Sequence, residues 1–234
     1  LQLGCHVIGI DDFDPWYSPH QKRSNLFATA NNSKFELVDA TLSPEIARET
    51  FSRSSVVFHL AGRPGVQDSW GEGFVDSSRR NIELTQRVYE ASVDSQVERV
   101  VYASSSSIYG SGATNPAARP EPQPISPYGV SKLVGEQLAH VYRAQGLHIT
   151  NLRYFTVYGP RQRPDMAMHR MFEATTPDGP VFVLRGDGQQ RREFTYVSDV
   201  VTATVAAGFI GEAANATFDV GGGSSVSLQQ VMTL

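Results

Sequence analysis

The chain has 234 residues, 40% hydrophobic and 19% charged, the make-up of a globular α/β domain with a sizeable core plus part of a second lobe, not of a disordered chain. A net charge of -4 argues against a general nucleic-acid or membrane-surface binder, and the single cysteine, Cys5, excludes an intramolecular disulfide framework and a multi-cysteine metal site and fits a reducing, cytoplasmic setting. No apolar run is long enough to span a bilayer, and no segment reads as a charged-then-apolar signal.

Leu1-Gln2-Leu3-Gly4 reads as the end of a helix with its glycine stop, and Ser227 to Val231 reads as a helix just begun. Truncation at both ends is therefore expected, with an upstream strand and helix lying outside these residues. Between the ends, predicted strands at 5–10, 34–38, 56–60, 99–104 and 148–154 alternate with predicted helices at 44–52, 74–93 and 127–145. That alternation predicts a parallel sheet wrapped by helices on both faces. Val56-Val57-Phe58 and Val100-Val101-Tyr102 are continuous apolar runs, as strands buried on both sides should be. Residues 115–124 hold four prolines and read as an extended surface loop. Beyond Tyr154, prolines 160, 164, 177 and 180 and the turn Gly186-Asp187-Gly188 break the pattern. Short strands at 181–184 and 194–197 and a helix at 198–209 predict a smaller lobe, so the division expected is 1–155 and 156–234, with some later segments returning to the first sheet.

Ligands of such sheets bind at the carboxyl ends of the strands. The sharpest signal there is Tyr128-Gly129-Val130-Ser131-Lys132. On a helix, at about 100° per residue, Tyr128 and Lys132 stand about 40° apart. The apolar stripe Val130, Val134, Leu138 and Val141 lies on the opposite side. A free phenol, with pKa about 10, is a poor base at neutral pH, and a nearby ammonium favours the phenolate. An exposed tyrosine beside a solvated lysine is the plain alternative. Upstream, the strand containing Tyr102 and Ala103 runs into the hydroxyl-rich turn Ser104-Ser105-Ser106-Ser107-Ile108-Tyr109-Gly110.

Taken in order, the strand with its serine turn, the proline-rich loop, Ser126-Pro127-Tyr128-Gly129 with Ser131-Lys132, and Leu152-Arg153-Tyr154-Phe155 with Tyr158-Gly159-Pro160 resemble the extended short-chain dehydrogenase/reductases of the NAD-dependent epimerase/dehydratase family. The chain is similar in particular to UDP-glucose and UDP-glucuronate 4-epimerases, over nearly its whole length. The resemblance implies a Rossmann-type doubly wound sheet with a smaller α/β substrate lobe. It implies Ser105 as catalytic hydroxyl, Tyr128 as acid/base and Lys132 as the residue that lowers the tyrosine pKa and binds the nicotinamide ribose.

Asp11 ends the strand that in a dinucleotide fold supplies the carboxylate for the adenosine ribose, and with no arginine following at once NAD is favoured over NADP; an ordinary turn residue is the alternative. By resemblance, Asp39 and Ala40 contact adenine, Leu60, Ala61 and Gly62 pass under the pyrophosphate and ribose, Asn81 lies beside them, Ser104 joins the cofactor set, and Tyr154 with Phe155 flanks the nicotinamide. The glycine-rich loop that receives a pyrophosphate is absent from these residues, Gly221-Gly222-Gly223 being at the wrong end. It should precede Leu1, which would leave Val7, Ile8 and Val57 partly uncovered and weaken NAD binding. On the substrate side the resemblance implies Ser107, Thr156, Arg163, Arg185 and Arg192, the last as a diphosphate clamp, and Asp165 could cap a following helix.

The reaction implied is 4-epimerisation of a UDP-sugar through a transient 4-keto sugar, with UDP-glucuronate or UDP-glucose as substrate, in a cytoplasmic homodimer. Two rivals stand beside it. Related 4,6-dehydratases carry an Asp-Glu pair after the catalytic hydroxyl and related decarboxylases a Glu, where this chain has Ser106 and Ser107. A non-catalytic NAD- or nucleotide-binding module is the rival from another class.

Overall fold

The dipeptide Ser-Pro starts three of the helices. Ser18, Ser43 and Ser126 each accept an N–H from the first turn on the hydroxyl, at 3.3, 3.3 and 3.1 Å, and the following proline has no N–H to leave unpaired. The computed structural model describes residues 1–114, 121–184 and 186–233. The elements run β1 (Val7–Asp11), α1 (Pro19–Ser24), β2 (Phe35–Asp39), α2 (Pro44–Phe51), β3 (Val56–His59), α3 (Gly73–Ser78), α4 (Leu84–Asp94), β4 (Arg99–Ser105) and α5 (Pro127–Arg143). They continue with β5 (His148–Tyr154), β6 (Thr156–Tyr158), α6 (Ala167–Ala174), β7 (Arg191–Tyr196), α7 (Val197–Phe209), β8 (Thr217–Val220), β9 (Ser225–Ser227) and α8 (Leu228–Met232).

The central sheet is parallel, in the order β3-β4-β5-β8. Strands β1 and β2 form a separate parallel pair, and among the described residues no ladder joins β1 to β3. Val7, Ile8 and Val57 are accordingly half-buried, while Val100, Val101 and Tyr102 in β4 are fully buried. Strands β6, β7 and β9 make a third, mixed sheet. The two-residue repeat of β4 divides the core: Val100 and Tyr102 pack with Tyr89, Ala139, Tyr142 and Ile149 on one side, and Val101 packs with Leu152, Val200, Ala207 and Val220 on the other.

Several expectations are corrected. Residues 181–184 are not a strand. The predicted helix 74–93 is α3 and α4 joined by a π-helical turn, Arg79–Glu83. Leu1 to Gly4 is not among these: it is a turn closed by Gly4 N–H on the Leu1 carbonyl, with Gly4 at φ 79°, the conformation of a glycine stop. Asp165 does not cap α6, whose N-cap is Met166; it pairs with Arg163 instead. Of the proline-rich loop, residues 115–120 lie outside the described residues.

Helix α5 buries Gly129, Ser131, Lys132, Gly135, Glu136, Ala139 and Tyr142 and turns Val130 and Val141 out to solvent. Its apolar stripe is therefore not its core face. Small residues let the helix sit hard on β4: a Cβ on Gly135 would come within 2.1 Å of Tyr102 Oη, and one on Gly129 within 2.5 Å of the Ser107 carbonyl. In a free helix, alanine for glycine stabilises by about 1 kcal/mol. Here overpacking of a site with no room reverses the sign, at about 1–3 kcal/mol. Gly135→Ala should thus lower the denaturant midpoint, and a raised midpoint would show that the helix has room to move off the sheet.

Candidate active site

At the carboxyl ends of β1 and β2 the register sets Asp11 opposite Asp39, and Ala40 N–H donates to the Asp11 carbonyl at 3.1 Å. Asp11 Oδ1 accepts Phe13 N–H at 2.8 Å, closing a turn that holds Phe13 at φ 46°. A buried non-glycine residue in that region stores strain of about 1–3 kcal/mol, and such residues gather at functional sites. Asp39 pairs with Arg23 at 2.7 Å and stays half exposed. The structure thus brings Asp11, Asp39 and Ala40 to one edge.

Leu60, Ala61 and Gly62 follow β3, with Leu60 and Ala61 exposed. Gly62 is wedged in place: an added Cβ would lie 2.7 Å from Asn81 Oδ1 and 3.4 Å from Lys132 Nζ. Asn81, buried within the π-helical turn, is a hub. Its Oδ1 accepts Arg63 N–H at 2.7 Å, and its amide donates to the Arg63 carbonyl at 3.0 Å and to Ser131 Oγ at 2.9 Å. A π-turn often marks a functional position, and here it ties the loop after β3 to α5.

Ser69 Oγ accepts the Tyr128 N–H at 3.0 Å, fixing the start of α5. The Tyr128 phenol is buried near Ser105, whose hydroxyl acts on it and whose Oγ accepts Ser107 N–H at 3.2 Å and lies 3.2 Å from Ser107 Oγ. Burial raises the phenol's pKa, opposed by the Ser105 hydrogen bond and then by the Arg163 charge. This differs from the expectation that lysine draws it down: desolvation leads. Lys132 Nζ donates to the Ala103 carbonyl at 2.9 Å, and burial pulls the ammonium down to about 8. His59, buried against Thr85 Oγ1 at 2.9 Å, is pushed down to about 3 by burial and then by the Lys132 charge, so it is neutral.

Behind this group runs a polar chain that the sequence reading missed. Ser104 Oγ donates to Glu136 Oε1 at 2.5 Å, and Arg153 donates to both Glu136 oxygens, at 3.0 and 2.7 Å. Arg153 also donates to Tyr109 Oη at 2.6 Å, which donates to Asp219 at 2.7 Å. Glu136 continues the four-residue series of Tyr128 and Lys132, a signal that could have found it. Ser104, grouped with the cofactor residues, faces this chain, and the Tyr154 hydroxyl meets Thr204 on α7 at 2.7 Å.

On the substrate side, Thr156 pairs in register with Phe194, next along the chain from the strand end where Ser105 faces Tyr154. Arg163 is partly buried and pairs with Asp165 at 3.1 Å. Arg192 is exposed, with its guanidinium on the Arg191 carbonyl at 2.9 Å. Arg185 lies outside the described residues. A cavity of about 590 Å³ between α7 and β8, lined by Leu152, Ala203, Ala207 and Val220, contains none of the proposed catalytic residues.

A model of the NAD dependent epimerase/dehydratase family matches residues 1–221. The chain is 40% identical to an uncharacterised UDP-glucose epimerase of Bacillus subtilis, over 98% of this chain and 72% of that protein. It is 35% identical to a UDP-glucuronate 4-epimerase of Thermodesulfobacterium geofontis, over 100% and 73%. Among solved structures it is similar to UDP-glucuronic acid 4-epimerase from Bacillus cereus in complex with UDP-glucuronic acid and NAD, at TM-score 0.89 and 38% identity, covering 97% of this chain and 73% of that one.

The buried lysine makes stability pH-dependent in a definite sense. Between about 8 and its ordinary 10.5 the unfolded chain holds a proton on Lys132 that the folded chain lacks, so stability rises with pH across that window. In Lys132→Met this contribution is gone. Urea unfolding at stepped pH should show the wild type gaining on the variant from pH 8 to 10.5, by on the order of 3 kcal/mol. A flat difference would mean that Lys132 stays protonated throughout.

Proposed function

The chain belongs to the NAD dependent epimerase/dehydratase family, and from that premise we propose that it inverts the C4 hydroxyl of a UDP-sugar, with UDP-glucuronate the first candidate and UDP-glucose the second. The observation that carries this reading is that the Ser105 hydroxyl acts on the buried Tyr128 phenol, lowering its pKa, with the Lys132 ammonium one helical turn further on beside Gly62. The donor set suits NAD: carboxylates at Asp11 and Asp39 for adenosine ribose and adenine, bare backbone at Gly62, and an ammonium at Lys132 for the nicotinamide ribose. When bound, NAD supplies the hydride acceptor and donor at the sugar's C4.

The chain's own residues move the proton. Tyr128, as phenolate, takes it from the C4 hydroxyl while Ser105 holds both oxygens, and later returns it. Lys132, fixed by the Ala103 carbonyl, is placed to hold the nicotinamide ribose, and Ser105 and Arg163 oppose the desolvation that raises the phenol. Arg163 is the substrate-side cation and the exposed Arg192 the diphosphate clamp, with Thr156 and Ser107 at the sugar. With Ser106 and Ser107 where dehydratases and decarboxylases carry acids, no carboxylate stands at that turn to eliminate water. A cytoplasmic homodimer belongs to the same proposal. Exposed Trp70, Phe74, Val75, Val130 and Val141, on and beside the contacting helices α3 and α5, support a second copy packing there.

Tyr128→Phe should cut turnover about 10²- to 10⁴-fold while retaining NAD as the parent does. Near-normal turnover would remove Tyr128 from the mechanism. Products from UDP-glucuronate, UDP-glucose and dTDP-glucose, followed by NMR, should be C4 epimers alone. A dehydrated or decarboxylated main product would place the enzyme with the rival reaction classes.

A further inference from the structure

Trp16 lies on the loop between β1 and α1, five residues past Asp11, with no part in the chemistry above. Two guanidinium groups reach its ring, Arg63 at 4.7 Å and Arg163 at 5.0 Å from the centroid. The two differ in how they are held. Arg63 is anchored to the dinucleotide half: its N–H is bonded to Asn81, and its guanidinium pairs with Asp14 at 3.2 Å and Asp76 at 3.3 Å. The loop carrying Trp16 is anchored there too. Asp14 accepts the Trp16 N–H at 2.9 Å, and Arg80 grips Asp12 and Asp14 at 3.2 and 2.6 Å.

Arg163 has no such long-range polar anchor among the described residues. Its partners Asp165 and Met166 stand two and three positions further along the same loop. The indole is what ties it across to the dinucleotide half. Tyr17, edge-on to Trp16 at 6.2 Å, reports the same placement, for its phenol is raised by burial and then by Asp11, and is lowered by Arg163. The loop therefore lies between the carboxylate proposed for the adenosine ribose and the cation proposed for the substrate. Repulsion between two cations on one ring is offset by Asp14 and Asp76 on one side and Asp165 on the other.

We propose that Trp16 is a positioning residue for Arg163: its indole, fixed by the dinucleotide half, holds the Arg163 guanidinium where the nucleotide-sugar binds. This rests on the reading of Arg163 as a substrate contact. A cation on an aromatic face loses roughly 3- to 10-fold in affinity when the face is removed. Removing the ring should therefore weaken substrate binding only through the arginine.

The test is a double-mutant cycle in the full chain with NAD bound. Trp16→Leu keeps bulk and removes the π face; Trp16→Phe keeps a face. Each is combined with Arg163→Ala, and KM and kcat for UDP-glucuronate are measured. Trp16→Leu should raise KM about 3- to 10-fold with kcat within about 2-fold, Trp16→Phe should recover most of this, and Trp16→Leu should add less than 2-fold once Arg163 is alanine. Multiplying effects, or equal losses in Trp16→Leu and Trp16→Phe, would overturn the proposal. If the wild type epimerises neither UDP-glucuronate nor UDP-glucose, the functional reading fails separately. Calorimetric binding of UDP-glucuronate then carries the same cycle, and absence of coupling, or of binding, overturns the role of Trp16.

Discussion

A lysine ammonium and a glutamate carboxylate face inward from α5, and the surrounding structure is arranged to tolerate them. Taking such groups out of water costs several kcal/mol each unless they find partners of good geometry. Lys132 finds the Ala103 carbonyl, and Glu136 finds Ser104 and both arms of Arg153. These partners sit on β4 and β5, so the helix must lie close to the sheet, and Gly129 and Gly135 allow that approach. A buried ion pair is weak support for stability. Its effect here is on placement: it sets the register of α5 against the strand that carries Ser105.

Electrostatic consequences follow from the same burial. Lys132 loses part of its basicity, His59 is held neutral beside it, and the Tyr128 phenol is raised despite Ser105 and Arg163. The Tyr128 phenol is therefore protonated at neutral pH. Charge from outside the helix acts on the base, because Arg163 reaches Tyr128 from the segment between β6 and α6. The segment carrying Arg163 and the helix carrying Tyr128 thus meet electrostatically at one tyrosine.

The loop after β1 carries a second set of charges with a different physical character. Asp12, Asp14, Asp76, Arg63 and Arg80 are all partly exposed, so each pair taken alone contributes little. As a network they fix the loop's course, together with the strained turn at Phe13. The same loop sets the Trp16 ring against Arg163 of the segment between β6 and α6.

What the sequence determined by itself is what depends on short spacing. Alternating apolar runs specified a parallel α/β sheet, because a strand repeats every two residues and a helix every 3.6. Tyr128 and Lys132 stood out because they lie one helical turn apart, and the family resemblance added Ser105, at the end of a buried strand, to the proposed site. What only the tertiary structure decided depends on partners far apart in the chain. The apolar stripe of α5 faces solvent because Glu136 meets Arg153 and Ser104 inside. The hydroxyl of Tyr154 turns to α7 because Thr204 awaits it there. Asp165 takes Arg163 and not a helix end, and Trp16 acquires two arginines from loops 47 and 147 residues away. Periodicity carries no information about such pairings, since only folding brings those groups within contact distance.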